Sequence, residues 1–411
     1  MKIVHLVAKD SGGAYRAAER INYALKKNSD VDSEILVLNK VHKNSEVTAF
    51  FNNRMSLLLF KLYRTFKTKN LDKKGLLGIG YVANYGIPIS KWKKVCEADI
   101  VHLHWVNDGM ISYRELKKMS TKGIHIVWTM HDMFPFTAVC YYDNECGGYK
   151  DGCISCPLCN SKLSQDEINN IIRCKKEAYN ENISFVGCSN WITNCAKSSF
   201  LCKNSEVMVI PNTLRFDIFK PISKQKAMEM LRLKKSEKKK FILFGAMSST
   251  SDKRKGYEYL YKALCTLEHK DEYIVLIFGS KSEDIVDVGI ETFNVGMIYN
   301  DNQLAALYSI ADVFVAPSLQ ENLSNAVMES LACGTPVVAF NIGGMHDMIT
   351  HKSNGYLAVL SNIDDLRKGI EWTASHSNEL SKSCVDSVRD KFSNNKVAEQ
   401  YITLYKRMIM D

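Results

Sequence analysis

The sequence predicts an α/β protein built from two doubly wound parallel sheets, and three observations predict it. Short β-branched runs alternate with helical patterns along the whole chain, which is how parallel strands joined by crossover helices read. The runs fall into two series, one closing near Pro211 and the other opening at Lys240. A chain of 411 residues also exceeds what one compact core organises, so two domains are expected.

The first series begins with "KIVHLV", a strand that "SGG" breaks. In "AYRAAERINYALKK", Ala17, Ala18, Ile21, Ala24 and Leu25 recur at helical spacing and make one apolar face. "EILVLN", "DIVHLHW", "HIVWTMH", "FVGCS" and "VMVIPN" continue as strands. "FKPISKQKAMEMLRLKKSEKKK" reads as a charged surface helix followed by a hinge. The second series is "FILFGA", "YIVLIFGS", "VFVAPS" and "TPVVAFN", each followed by a loop and a helical pattern. The expected domains are 1–210, with a cysteine-rich insert at about 138–160, and 211–385, followed by a final helix in 386–411.

Composition narrows the function classes. Hydrophobic content of 46% with 24% charged residues is ordinary for a globular protein. No run approaches the ~20 apolar residues that span a bilayer. The apolar start of "MKIVHLVAKDSGG" is too short for a secretory leader. The expectation is a cytoplasmic protein whose thirteen cysteines are reduced, buried or metal-bound. The net charge of +9 lies wholly within residues 1–210 and is densest from Arg54 to Lys94, where ten basic residues accompany Asp72 as the sole acid. There, Met55, Leu58, Leu59, Leu62 and Phe66 recur at helical spacing beside lysines. This stretch reads either as an amphipathic helix resting on anionic lipid or as a core helix with a solvated basic face. Nucleic acid is not an expected partner, because no helix-turn-helix or zinc-finger signature is present.

Ligands of open parallel sheets bind beyond the carboxyl ends of the strands, and the chemistry-bearing motifs fall in those loops. "QENLSNAVMESLACGTP" places Glu321 and Glu329 eight residues apart with no basic residue between them. Ser324 or Asn322 can cap a helix running to Cys333, with Gly334 as its stop and Pro336 close behind. Carboxylates suit the vicinal hydroxyls of a sugar or ribose, and the N–H groups of a helix start suit phosphate. A sugar nucleotide would use both. In "FGAMSSTSDKRKGYEYL", Arg254 and Lys255 precede Gly256 and a helix; they could neutralise a leaving diphosphate, or form a solvated basic turn. Gly12 and Gly13 either let an anion approach the next helix or make a plain tight turn.

"WTMHDMFPFTAVC" sets His131 and Asp132 at a strand end. "DIVHLHWVNDG" adds His104, Trp105 and Asn107, an aromatic ring for a sugar to stack on among hydrogen-bonding groups; core packing beside an acceptor site is the other reading. In "CYYDNECGGYKDGCISCPLC", Cys140, Cys146, Cys153 and Cys156 are spaced C-x5-C-x6-C-x2-C, with Cys159 following. Four thiolates suit a tetrahedral structural zinc; disulfides are the rival, which a reducing compartment disfavours.

"APSLQENLSNAVMESLACGTPVVAFNIGG", with "MHDMI" and "NGYLA" after it, resembles the donor-binding region of retaining glycosyltransferase family 4. These enzymes have the GT-B fold, two Rossmann-like domains facing across a cleft. "HDMFPFT" and the cysteines behind it resemble a branch of that family with a cysteine-rich insert. The resemblance covers most of the chain and is strongest at 124–157 and 315–360. It implies retaining transfer of a hexose-type sugar from a UDP or GDP sugar to a glycan or lipid-linked acceptor, in bacterial capsule, O-antigen or exopolysaccharide assembly. It further implies Glu321 at the donor sugar, Glu329 at the ribose, and the backbone of Asn322, Leu323 and Ser324 at the sugar and phosphates. Gly12, Gly13 and Gly245 would also serve the donor, and His131 would line the sugar's site. His104, Trp105, Asn107 and Asp132 are the acceptor-side candidates. No side-chain nucleophile and no catalytic cofactor is implied; Arg254, Lys255 or both would serve the diphosphate, since the family's usual arginine position is Ala246 here. The final helix would cross back onto the first domain, and the enzyme could sit peripherally on the inner face of the cell membrane. Two other classes fit the same architecture: a sugar-nucleotide epimerase and a non-catalytic nucleotide-sugar-binding protein.

Overall fold

A computed structural model describes residues 1–410 except 39, 43–45, 74, 75, 77, 160, 161, 234–238, 246–251 and 280–286. The chain forms two compact units, Met1–Thr213 with Asn394–Asp411, and Leu214–Ser393. In the first unit, β1 (Lys2–Leu6), β2 (Asp32–Val37), β3 (Thr48–Ala49), β4 (Ile100–Leu103), β5 (His125–Met130), β6 (Ile183–Gly187) and β7 (Val207–Val209) make one sheet. Its order is β3-β2-β1-β4-β5-β6-β7, and its pairings are parallel. The second unit repeats the plan with β8 (Lys240–Gly245), β9 (Tyr273–Phe278), β10 (Glu291–Gly296), β11 (Val313–Ala316), β12 (Val337–Phe340) and β13 (Gly355–Ala358). Its order is β10-β9-β8-β11-β12-β13, again parallel. In each sheet the winding reverses once, between β1 and β4 and between β8 and β11. Crossover helices diverge to opposite faces there and leave a crevice beyond the strand ends.

Alternation along the first sheet's strands sends neighbours to opposite faces. Val4, Leu6, Val101 and Leu103 join the larger apolar cluster, while Ile3, Ile100 and Val127 join a second one. The second cluster is closed by helix Gly13–Asn28 and by the last helix, Asn394–Met410. Val397, Ala398, Tyr401, Leu404, Tyr405 and Met408 of that last helix are buried at helical spacing, and this makes it part of the first unit. The helix before it, Ser377–Phe392, packs on helix Asn325–Ala332 through a stripe that includes Leu380, Cys384 and Val388. The division therefore falls at Ser393–Asn394 rather than at 386, and at Thr213–Leu214 rather than at 210. The surface helix read near 224 is Lys224–Leu231; most of the hinge read after it lies outside the described residues.

The last helix brings two hydroxyls under the sheet. Tyr405 Oη lies 2.7 Å from His102 Nδ1, and Tyr401 Oη lies 3.0 Å from Thr129 Oγ1. All four side chains are fully buried, so each bond satisfies a group that water cannot reach. Tyr405→Phe keeps the ring but orphans that imidazole nitrogen. Urea unfolding should show it destabilised by ~1–3 kcal/mol, and an unchanged midpoint would mean that His102 has another partner.

Candidate functional site

In the second unit the site is assembled from loops leaving β8 and β11. The turn Lys253–Lys255 ends at Gly256, whose φ is +70°. A Cβ there would stand 1.8 Å from the Pro317 carbonyl oxygen, so only glycine allows the two loops to approach this closely. Leu319 N–H donates to the Arg254 carbonyl at 2.8 Å and completes the seam. The result is a 2.7 Å ion pair between Lys255 Nζ and Glu321 Oε2, with the two side chains 26% and 12% exposed. Arg254 folds back instead onto Asp252, the residue capping its own turn, with a bidentate pair at 2.7 and 3.2 Å. The two cations, equivalent in sequence, are thus distinct in structure: Lys255 meets Glu321. Ala246, the position of the family's arginine, lies outside the described residues.

Ser324 is the residue that caps the following helix, accepting from Val327 N–H at 3.5 Å. The helix ends at Ala332, one residue before Cys333, and Gly334 follows with φ +83°. Asn322 and Leu323 are buried beside it. Glu329 sits one turn into this helix, 3% exposed, with its carboxylate accepting from Tyr308 Oη at 3.2 Å. The Gly343–Gly344 turn reaches the same loop, Gly344 N–H donating to the Glu321 carbonyl at 3.3 Å. Gly245 ends β8 against the Phe278 ring, where a Cβ would collide at 2.3 Å.

In the first unit, His104, Trp105, Asn107, His131 and Asp132 line one small pocket together with Val106, Trp128, Phe134 and Pro135. These are all five of the polar or aromatic candidates expected on this side. Gly12 has φ +88° at the start of helix Gly13–Asn28, and no side chain caps that helix. Lys175 was not anticipated. It is fully buried, and its ammonium group donates to the carbonyls of Phe134 and Thr137 while standing 3.9 Å from the Phe134 ring centre. It thereby clamps the loop that follows His131 and Asp132. Burial draws its pKa down to about 7, opposed by the nearby Cys153, Cys202, Asp132 and Cys140. Its signal was present: Lys175 continues the apolar stripe Ile168, Ile171, Ile172 of helix Gln165–Ala178.

Behind the pocket the period-2 alternation of three neighbouring strands lays histidines on one face. His5 Nδ1 is 3.0 Å from His104 Nε2, and His104 Nδ1 is 3.0 Å from His131 Nε2. The ring nitrogens of His5, His102 and His104 come within 4.8 Å of one another, a spacing that could hold a metal ion. Yet hydrogen bonds already engage both nitrogens of His102 (Tyr405, Thr129) and of His104, and Nδ1 of His5. We therefore read His5, His104 and His131 as a hydrogen-bonded chain, with His102 bonded separately to Tyr405 and Thr129. His5 Nε2 is buried without a partner among the described residues. A bare nitrogen there costs less than an orphaned N–H, so His5 donates from Nδ1 to His104, and His104 donates from Nδ1 to His131. His131 then carries its own proton on Nδ1.

The cysteine group is arranged differently. Cys140, Cys146, Cys153 and Cys156 line one pocket as unbridged thiols, and burial pushes the Cys140 thiol up to about 12 and the Cys153 thiol to about 11.

Burial lowers the pKa of His131 to about 4 and of His5 to about 3, and holds His102 and His104 well below the ordinary 6.5. The unfolded chain therefore binds more protons than the folded one below pH 6.5. Stability from these groups is complete above that pH and is lost as pH falls toward the folded values. The histidines' share of the stability should be constant from pH 8 to 7 and then weaken steeply, read from urea unfolding. Near pH 5, His131→Gln should remove about one proton from the slope, ~1.4 kcal/mol per pH unit; an unchanged slope would show that His131 is already charged in the folded protein.

Comparisons with known proteins bear on the fold and on the second unit. Residues 228–391 match the family described as glycosyl transferases group 1. An uncharacterized 41.2 kDa protein in the cps region of Klebsiella pneumoniae is 23% identical over 99% of both chains. An N,N'-diacetylbacillosaminyl-diphospho-undecaprenol alpha-1,3-N-acetylgalactosaminyltransferase of Campylobacter jejuni is 24% identical over 38% of this chain and 42% of its own length. The Anabaena Alr3699/HepE structure in complex with UDP and glucose superposes with TM-score 0.64 at 13% identity, covering 99% of each chain. The chain accordingly has the GT-B fold, and its second unit is similar to the glycosyl transferases group 1.

Proposed function

We propose that this protein is a retaining family 4 glycosyltransferase. It would move a hexose-type sugar from a UDP or GDP sugar to a glycan or lipid-linked acceptor in bacterial surface polysaccharide assembly. The observation that carries the reading is the Lys255–Glu321 pair at the β8/β11 switch point, where an open parallel sheet takes its ligand. The relatives' names, a cps-region protein and a transferase named for a diphospho-undecaprenol-linked sugar, support the pathway and acceptor class.

In this mechanism the diphosphate gains charge as its bond to the sugar breaks. Lys255 stabilises that charge, with Arg254 nearby as a second cation. Glu321 holds a sugar hydroxyl and keeps Lys255 in place. The acceptor hydroxyl attacks on the leaving-group face, its proton passes to the departing phosphate, and the configuration is retained. Glu329, fixed by Tyr308, serves the ribose, and the backbone at Asn322, Leu323 and Ser324 serves the phosphates. His131 is neutral and acts by donating a hydrogen bond, not by charge; His104, Trp105, Asn107 and Asp132 shape the acceptor side.

Cys140, Cys146, Cys153 and Cys156 form a donor set that suits structural zinc, and an ion would draw the sulfurs together as thiolates. Protein purified without chelator should then contain about one zinc per chain, and Cys153→Ser with Cys156→Ser should abolish it and lower Tm. Zinc-free protein with the same Tm would remove this assignment.

Glu321→Gln should lower kcat by ~100-fold or more while UDP or GDP still raises the melting temperature as in the wild type. The anomeric configuration of the product, read by NMR, should match the donor. An inverted product would refute retention, and solvent deuterium entering the sugar would point to the epimerase instead.

A further inference from the structure

The helix Arg54–Lys73 has two faces with different fates. Its inner face is fixed: Phe60 stacks on Phe51 with centroids 4.7 Å apart, Tyr63 meets Tyr85 edge-on at 5.9 Å, and Arg64 pairs with Asp108 at 3.6 Å. Gly109 makes room for the Phe60 ring, which would stand 3.0 Å from a Cβ at that position. The outer face then has no choice of direction. It presents Met55, Leu58, Leu59, Leu62, Tyr63 and Phe66, from 45% exposed at Tyr63 to 76% at Phe66. At 3.6 residues per turn these six fall on one continuous arc. Arg54 and Lys61 border the arc on one side and Lys67 on the other, all exposed, and Lys69 falls within the arc beyond Phe66.

An apolar arc bordered by cations on both sides is complementary to a bilayer whose headgroups are anionic. Among the described residues, nothing covers Met55, Leu58, Leu59, Leu62 and Phe66 on this face. No helix among the described residues is long and apolar enough to cross a membrane, so attachment here lies in the surface plane. The inner face also touches the pocket loop, because Asp108, the partner of Arg64, follows Asn107 in the chain.

We propose that helix Arg54–Lys73 docks the first unit on anionic lipid, inserting Leu58, Leu62 and Phe66 among the acyl chains while Arg54, Lys61 and Lys67 meet the phosphates. The proposal rests on this helix alone and stands whether or not the acceptor is lipid-linked.

The test is flotation of the full chain with phosphatidylcholine vesicles, with and without 30% phosphatidylglycerol. Binding to the anionic vesicles should exceed binding to the neutral ones by ~10-fold or more and should weaken with salt. Leu58→Asn, Leu62→Asn and Phe66→Asn together should reduce it ~100-fold; Lys61→Glu with Lys67→Glu should reduce it ~10-fold without touching the apolar arc. Binding that is absent, indifferent to lipid charge, or unchanged in both variants overturns the proposal. So does a wild-type dimer in ultracentrifugation that the triple variant dissolves while vesicles stay bare, which would assign the face to a second copy. Because the vesicles carry no sugar and nothing turns over, these results are independent of the transferase reading.

Discussion

The reversal of strand order is the constraint on which the rest of this structure depends. A parallel sheet whose winding changes direction must send successive crossover helices to opposite faces, and the gap at the reversal cannot be filled by either. In the first unit the gap lies beyond β1 and β4, where Gly12, His104 and Trp105 emerge. In the second it lies beyond β8 and β11, where Lys255 and Glu321 meet. The candidate residues are therefore on loops, but on loops whose starting points the sheets hold rigid.

The first sheet carries an unusual interior. His5, His102 and Thr129 occupy positions that a doubly covered strand normally gives to Val or Ile, and His104 is buried just past the end of β4. Burying such groups is tolerable only when they are neutral and bonded to one another. The last helix supplies two of the necessary partners, Tyr401 and Tyr405, from residues almost three hundred positions away. Its return to the first unit thus closes a core and also satisfies His102 and Thr129. A substitution in that helix would be felt at the pocket through the His102 ring, which stacks on His104 with centroids 4.3 Å apart.

The architecture was largely legible because long β-branched runs and helical periodicities are local signals. What was missed has a common cause. The strand β3 has two residues, and β10 reads "ETFNVG" without an apolar run because its edge position leaves it half exposed. The pocket candidates His104, Trp105, Asn107, His131 and Asp132 were found as strand-end residues, and the sheet does bring them together. Lys175 and Tyr308 were not found, since their partners, Phe134 and Glu329, are distant in sequence and the pairing exists only after packing. Likewise, no local pattern distinguishes Arg254, whose nearest acid is its own cap, from Lys255, whose acid comes from another loop.

The two glutamates show why spacing alone could not assign roles. Glu321 and Glu329 look alike in sequence, an acid at each end of a short interval. The seam at Gly256 and Pro317 puts Glu321 beside an ammonium group with part of each side chain still open to solvent. Such a pair can loosen as a ligand arrives, because its exposed portion retains access to water and its net worth is small. Glu329 sits inside the helix that follows, almost without exposure and held by a tyrosine hydroxyl. A carboxylate in that setting cannot easily reorganise, since leaving its donor would strand a buried charge. The first is therefore suited to a group that must change partners during a reaction, and the second to one that fixes a part of the ligand that does not react.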